Sequence, residues 1–143
     1  MPLPVAETPE LLQSFAVAVG LGLLVGLQRE WEHNRIAGIR TFALASLFGA
    51  LSGIMAQTYG GWIIAAALVA ISAMIVPSYL ASLRQTEPDP GLTTEMALLI
   101  TFATGVIAVM GYRIVAVVVA ASVMVLLQSK KRLHQLVHAI GEN

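Results

Sequence analysis

Charged residues fall in short clusters along this chain, and long stretches between the clusters carry no charge. The uncharged stretches cover 11–28, 41–83, 96–112 and 114–129. Only 11% of the 143 residues are charged and 57% are hydrophobic, whereas soluble domains have about 25% and about 45–50%. This pattern excludes a soluble enzyme domain, a nucleic-acid binder with a basic face and a disordered chain. It predicts an integral membrane protein.

The lengths of the apolar stretches predict how many helices cross the membrane. A transmembrane helix needs about 20 apolar residues, so the stretch 41–83 is too long for one helix, and its polar, Gly-rich segment 58–61 predicts a break. We therefore predict an all-α fold, a polytopic membrane helix bundle of about five transmembrane helices in a single domain, 1–143. The predicted spans are 11–27, 39–57, 62–83, 94–110 and 112–128, followed by a short tail over 129–143.

The Lys and Arg residues predict the orientation. An outside N-terminus leaves only Arg113 of the eight basic residues outside, which satisfies the positive-inside rule. The tail is then cytoplasmic, as are the other seven basic residues: Arg29, Arg35, Arg40, Arg84, Lys130, Lys131 and Arg132. The net charge of zero predicts no nucleic-acid partner, and the lack of cysteine excludes disulfides and thiolate metal sites.

Small residues recur at intervals of four on every predicted span, which places them on one face of each helix. Such faces let helices pack closely in lipid. The glycines predicted to pack helices are Gly22, Gly26, Gly49, Gly53 and Gly105. Because five short helices bury little surface alone, we expect a homo-oligomer in the bilayer, with a dimer favoured.

Continuing these faces by one step of four leads to polar residues at the predicted cytoplasmic ends of three helices. Glu30 and Glu95 form a candidate metal site there, since Mg²⁺ is held by one or two carboxylates and retained waters. The polar cluster predicted around them consists of Arg29, Arg40, Thr41, Thr93 and Thr94. The alternative is structural: a threonine caps the fourth helix, Glu95 favours its dipole and Glu30 pairs with Arg40.

The predicted spans hold no ionisable side chain near their centres, so a carboxylate relay for protons does not fit. No embedded histidine can act as a base for the serines, so we predict no catalytic residues and no enzyme activity. His134 and His138 lie four apart in the tail. Without an intervening glutamate they do not match a zinc-protease motif, and we interpret them as the polar face of an interfacial helix.

Three short segments resemble a known family. Segments 22–31 (GLLVGLQREW) and 37–41 (AGIRT) resemble the first signature of the bacterial MgtC/SapB membrane proteins, and 91–95 (GLTTE) resembles the second, in the form found in one subgroup. The chain departs from the family at Gln28, where glutamate is common. The resemblance implies five helices with an outside N-terminus, a multi-pass location in the bacterial inner (plasma) membrane, and a role under magnesium limitation and in acid adaptation.

Three functions therefore stand open. The first is a small inner-membrane protein of magnesium or cation homeostasis with a cation site at the cytoplasmic rim, for which Mg²⁺ is the candidate ion. The second is a regulatory protein that docks on a membrane ATPase or transporter and moves no ion. The third is an oligomeric pore lined by hydroxyl groups.

Overall fold

The computed structural model describes residues 8–31, 38–84 and 92–141, which form helices and the turns between them. The helices are α1 (Thr8–Trp31), α2 (Ile39–Tyr59), α3 (Trp62–Ser82), α4 (Thr93–Val109) and α5 (Arg113–Gly141). The predicted all-α fold with five helices is confirmed, and no strand occurs among the described residues. Arg35, residue 37, residues 85–91 and the last two residues lie outside the described residues.

Four of the described helices are long and apolar enough to cross a membrane: α1, α2, α3 and α5. The fourth helix in the chain, α4, has 17 residues. The predicted span 112–128 is the first part of a 29-residue helix that continues through most of the predicted tail. The direction in which the bundle crosses the membrane stays a prediction.

The shortest helix, α4, lies at the centre of the bundle and contacts each of the other four. Most of its residues are buried, including Ala97, Phe102 and Val106. By contrast, α3 contacts only α2 and α4 among the described helices, and Ala67 is the one buried residue over 62–81. Since α3 is very apolar, this exposed surface is suited to lipid.

Glycines bring α2 and α4 into backbone contact. A Cβ atom added to Gly49 would overlap the carbonyl oxygen of Phe102, and one added to Gly105 would overlap the carbonyl oxygen of Ser46. One turn farther along both helices, a Cβ on Gly53 would lie 2.7 Å from Val109 Cγ2. Close approach of this kind is what small residues allow between helices in lipid.

The contact between α1 and α2 also depends on glycines. A Cβ on Gly22 would lie 2.7 Å from the carbonyl oxygen of Phe42, and one on Gly26 would lie 2.6 Å from Ile39 Cα. All five glycines that the sequence suggests for packing therefore lie at helix–helix contacts. The small residues Ala66 and Ala70 of α3 are exposed instead.

The two ends of the bundle differ in charge. One end, which we call the basic end, is where α1 and α3 end and α2 and α4 begin. It carries Arg29, Arg40 and Arg84.

At the opposite end, Arg113 of α5 forms hydrogen bonds with the first turns of α1. Its Nε donates to Ser14 Oγ at 3.1 Å, and its two terminal nitrogens donate to Gln13 Oε1 and the Glu10 carbonyl oxygen, both at 3.0 Å.

Candidate functional site

A buried arginine joins α1 to α4 at the basic end. Arg29 lies in the last turn of α1 and is only 4% exposed. Its Nη2 donates a hydrogen bond to the hydroxyl oxygen of Thr94, which is also buried. Since hydrogen bonds to charged groups are stronger than neutral ones, this contact fixes the start of α4 against the end of α1.

The carboxylate of Glu30 stabilises the start of α2. Its Oε2 accepts a long hydrogen bond, 3.4 Å, from the backbone N–H of Ile39, the first residue of that helix. A negative charge there satisfies a backbone donor that lacks a helical partner and complements the helix dipole. Glu30 and Arg40 are both exposed, and no ion pair joins them in the part of the chain that the structure describes.

The second predicted carboxylate, Glu95, is buried in the first turn of α4. Its side chain is 8% exposed, and its Oε2 has no hydrogen-bond partner among the described residues. Leu92 is the N-cap residue of α4 and makes no side-chain cap, so neither Thr93 nor Thr94 takes the capping position. Glu30 thus supports the start of α2, whereas the carboxylate oxygen Oε2 of Glu95 makes no such bond.

Glu95 forms part of the wall of a cavity of about 380 Å³ between α2, α3 and α4. Its polar lining residues come from the first turns of α2 and α4 and from the end of α3: Thr41, Ser78, Thr94 and Glu95. Its apolar lining residues are Leu44, Ala45, Phe48, Ala70, Ile71, Met74, Ile75 and Leu98. The cavity is thus polar at the basic end of the bundle and apolar toward the middle of the helices.

The structure brings together some members of the predicted polar cluster and separates others. Arg29 contacts Thr94 directly, and Thr41, Thr94 and Glu95 line one cavity. Arg40 is exposed and Thr93 is half-buried, and neither lines that cavity. Ser78 is the polar lining residue that the sequence does not suggest. Its position after Pro77, near the end of the predicted span 62–83, is the signal that could have indicated it.

The donor set at this site suits a weakly held, largely hydrated ion. Within the described ranges, no group of three or more His, Asp and Glu residues could hold a metal. One carboxylate with neighbouring hydroxyls matches the sparse protein ligation of Mg²⁺, which keeps most of its waters. His134 and His138 lie away from this site on the exposed part of α5, with ring centroids 5.9 Å apart.

The hydroxyl groups in the middle of the helices are used for packing. Ser46 Oγ donates to the carbonyl oxygen of Ala18 on α1 at 2.6 Å. Thr101 and Thr104 each donate to a carbonyl oxygen one turn earlier in α4, at 2.7 and 2.8 Å. Ser72 and Ser122 do the same in α3 and α5. Because these donors are already satisfied, they contribute to helix structure in the single chain.

One family model matches this chain, that of the MgtC family, over residues 15–136. No curated protein and no solved structure matches it. The matched region contains all of α2, α3 and α4 and most of α1 and α5, and so includes Arg29, Thr94 and Glu95. Since the match covers most of the sequence, the chain belongs to the MgtC family.

Proposed function

We propose that this protein acts in magnesium homeostasis as a multi-pass protein of the bacterial inner membrane and binds a cation at Glu95. Membership in the MgtC family is consistent with a membrane protein linked to Mg²⁺ homeostasis. The family is generally not one of enzymes, which agrees with a role in binding or regulation. In the predicted orientation, the basic end faces the cytoplasm, so the cation that binds at Glu95 comes from the cytoplasm.

The burial of Glu95 is the observation that carries the proposal. An ionised carboxylate removed from water loses hydration energy, and this loss is large unless a hydrogen bond or a counter-charge replaces it. Oε2 of Glu95 has no hydrogen-bond partner among the described residues. A cation beside this oxygen supplies the missing counter-charge, and the hydroxyls of Thr41 and Thr94 can hold the waters that a hydrated ion retains.

Substituting Glu95 by glutamine is expected to weaken Mg²⁺ binding by about tenfold or more, since an amide keeps the shape but loses the charge (tenfold corresponds to about 1.4 kcal/mol). The measurement is isothermal titration of the protein in nanodiscs made from phosphatidylcholine. Glu10→Gln is the matched control, because Glu10 is an exposed carboxylate at the start of α1, at the opposite end of the bundle. Equal affinities for wild type and Glu95→Gln would contradict the site. Glu30→Gln tests whether the second carboxylate contributes.

Regulation without ion conduction is the second function that we consider. In that role the protein binds the cation but does not transport it. It acts as a homodimer or in contact with a membrane ATPase or transporter. The hydroxyl groups of Ser46, Thr101 and Thr104 all donate to backbone oxygens. In the single chain these hydroxyls therefore serve helix structure and packing.

We expect purified protein in liposomes to give no Mg²⁺ flux above that of empty liposomes, measured with an entrapped magnesium indicator. A known magnesium channel reconstituted in parallel is the positive control. Flux that Thr101→Val removes and Glu95→Gln leaves intact would instead support the oligomeric hydroxyl-lined pore. Flux that requires Glu95 would support transport through the cation site.

A further inference from the structure

The cavity between α2, α3 and α4 has the polarity of a membrane lipid. Its polar lining lies at the basic end, where α2 and α4 begin and α3 ends, and its apolar lining extends from there toward the middle of the bundle. Phe48 of α2 lies two helical turns from Thr41, and Ala70 of α3 lies about two turns from Ser78. An occupant that fits this gradient has a polar head at the basic end and an apolar chain.

The size and lining of the cavity favour such an occupant over water. A cavity of about 380 Å³ falls within the usual range of small-molecule pockets, roughly 300–1,000 Å³. The cavity is open beside Leu44 and Met74, which are 64% and 77% exposed, and its inner lining residues Ile71 and Leu98 offer water no polar partner. Since α3 contacts only α2 and α4 among the described helices, lipid has access to both sides of it.

The charged groups at the polar end of the cavity determine which polar headgroup can bind there. Glu95 is a buried carboxylate, so it favours a cation that can also donate hydrogen bonds, and a primary ammonium has three donors. The hydroxyl oxygens of Thr41 and Ser78, which also line the cavity, can accept from such a group. Arg40, exposed beside Thr41, offers a guanidinium to a phosphate at the membrane surface.

We propose that this cavity binds an amine-headed phospholipid of the phosphatidylethanolamine type. One acyl chain occupies the apolar part, the ammonium contacts the Glu95 carboxylate, and the phosphate faces Arg40. The inference rests on the proposed role of Glu95 as a cation site and names a second cation for it, one carried on a lipid. Mg²⁺ and the lipid ammonium therefore compete for one carboxylate, which couples the lipid contact to the magnesium concentration.

The test measures which lipids the purified protein retains from mixed vesicles without Mg²⁺, by native mass spectrometry. The vesicles contain equal amounts of phosphatidylethanolamine, phosphatidylcholine and phosphatidylglycerol with the same acyl chains. The first two lipids differ in the methyl groups on nitrogen, which remove the ammonium donors. We expect wild type to retain phosphatidylethanolamine over phosphatidylcholine by about fivefold, and Glu95→Gln to remove this preference, since the preference depends on a charge-assisted hydrogen bond.

A second pair of variants tests the acyl chain. Ala70→Trp places a large side chain in the cavity without touching the carboxylate, and it should reduce retention of all three lipids. Ala66→Trp is the matched control, since Ala66 is exposed one turn away on α3 and does not line the cavity. Circular dichroism and thermal unfolding of each variant establish that it is folded.

Several outcomes would overturn the inference. Equal retention of the three lipids by wild type would remove the ammonium site, and equal retention by Ala70→Trp and Ala66→Trp would remove the cavity as the lipid site. Preference for phosphatidylglycerol would show that the arginines, rather than Glu95, select the head. Mg²⁺ binding by wild type, measured in phosphatidylcholine nanodiscs, separates the two proposals. If wild type prefers phosphatidylethanolamine but does not bind Mg²⁺, only the magnesium function is contradicted. If it binds Mg²⁺ but shows no lipid preference, only the lipid inference is contradicted.

Discussion

Gly105→Ala is expected to lower the free energy of unfolding by about 3 kcal/mol, at the upper end of the usual cost of overpacking. The added methyl group would overlap the carbonyl oxygen of Ser46, which belongs to the backbone of α2 and cannot rotate away. The helices must therefore separate, and packing along the whole α2–α4 contact is lost. The measurement is unfolding in mixed detergent and sodium dodecyl sulfate micelles, followed by circular dichroism.

Gly20→Ala is the matched control for this substitution. It makes the same chemical change within a helix, yet no neighbouring helix has an atom within 4 Å of the added methyl group. Because alanine favours helix over glycine by about 1 kcal/mol, this variant should be as stable as wild type or more stable. If Gly105→Ala and Gly20→Ala unfold at the same detergent fraction, α2 and α4 do not approach each other as described.

Thr94→Val is expected to cost about 2 kcal/mol of folding free energy, the range found for hydrogen bonds to charged groups. Valine fills nearly the same volume, but it removes the oxygen that accepts the hydrogen bond from Arg29 Nη2. The guanidinium is buried, so water cannot readily replace the lost acceptor. The same detergent titration measures the change, and hydrogen exchange in the first turn of α4 should rise with it.

Thr93→Val provides the control for Thr94→Val. The two positions are neighbours in the same turn of α4, but Thr93 is only half-buried and Thr94 is 3% exposed. A loss of stability confined to Thr94→Val supports the contact between α1 and α4. Equal losses at both positions would show that the effect comes from valine in the first turn and not from the bond to Arg29.

The sequence could predict the helices and their closely packed faces, because both depend on local spacing. A spacing of four puts Gly49 and Gly53 on one side of α2 whatever that side contacts. Ala66 and Ala70 have the same spacing on α3, yet both are exposed. Periodicity identifies a face of a helix, but only the tertiary arrangement decides whether a neighbouring helix or lipid covers it.

The candidate site was predictable in its residue types and only partly in its arrangement. The sequence predicts Glu30 and Glu95 as a pair, because both lie at predicted cytoplasmic ends of helices. Which helix each carboxylate contacts depends on contacts between distant parts of the chain. The bond between Arg29 and Thr94 joins residues 65 positions apart, and the cavity combines three helices, so no local pattern shows that Glu95 is buried while Glu30 is exposed.

The short length of α4 links the site to the thickness of the bilayer. Seventeen residues give a helix of about 26 Å at about 1.5 Å per residue, whereas the hydrocarbon core is about 30 Å thick. A helix shorter than the core is accommodated when the bilayer thins around it or its ends lie below the surface. Glu95 is in the first turn of this helix, so a thin membrane brings the lipid headgroups to its carboxylate and a thick one leaves it among acyl chains.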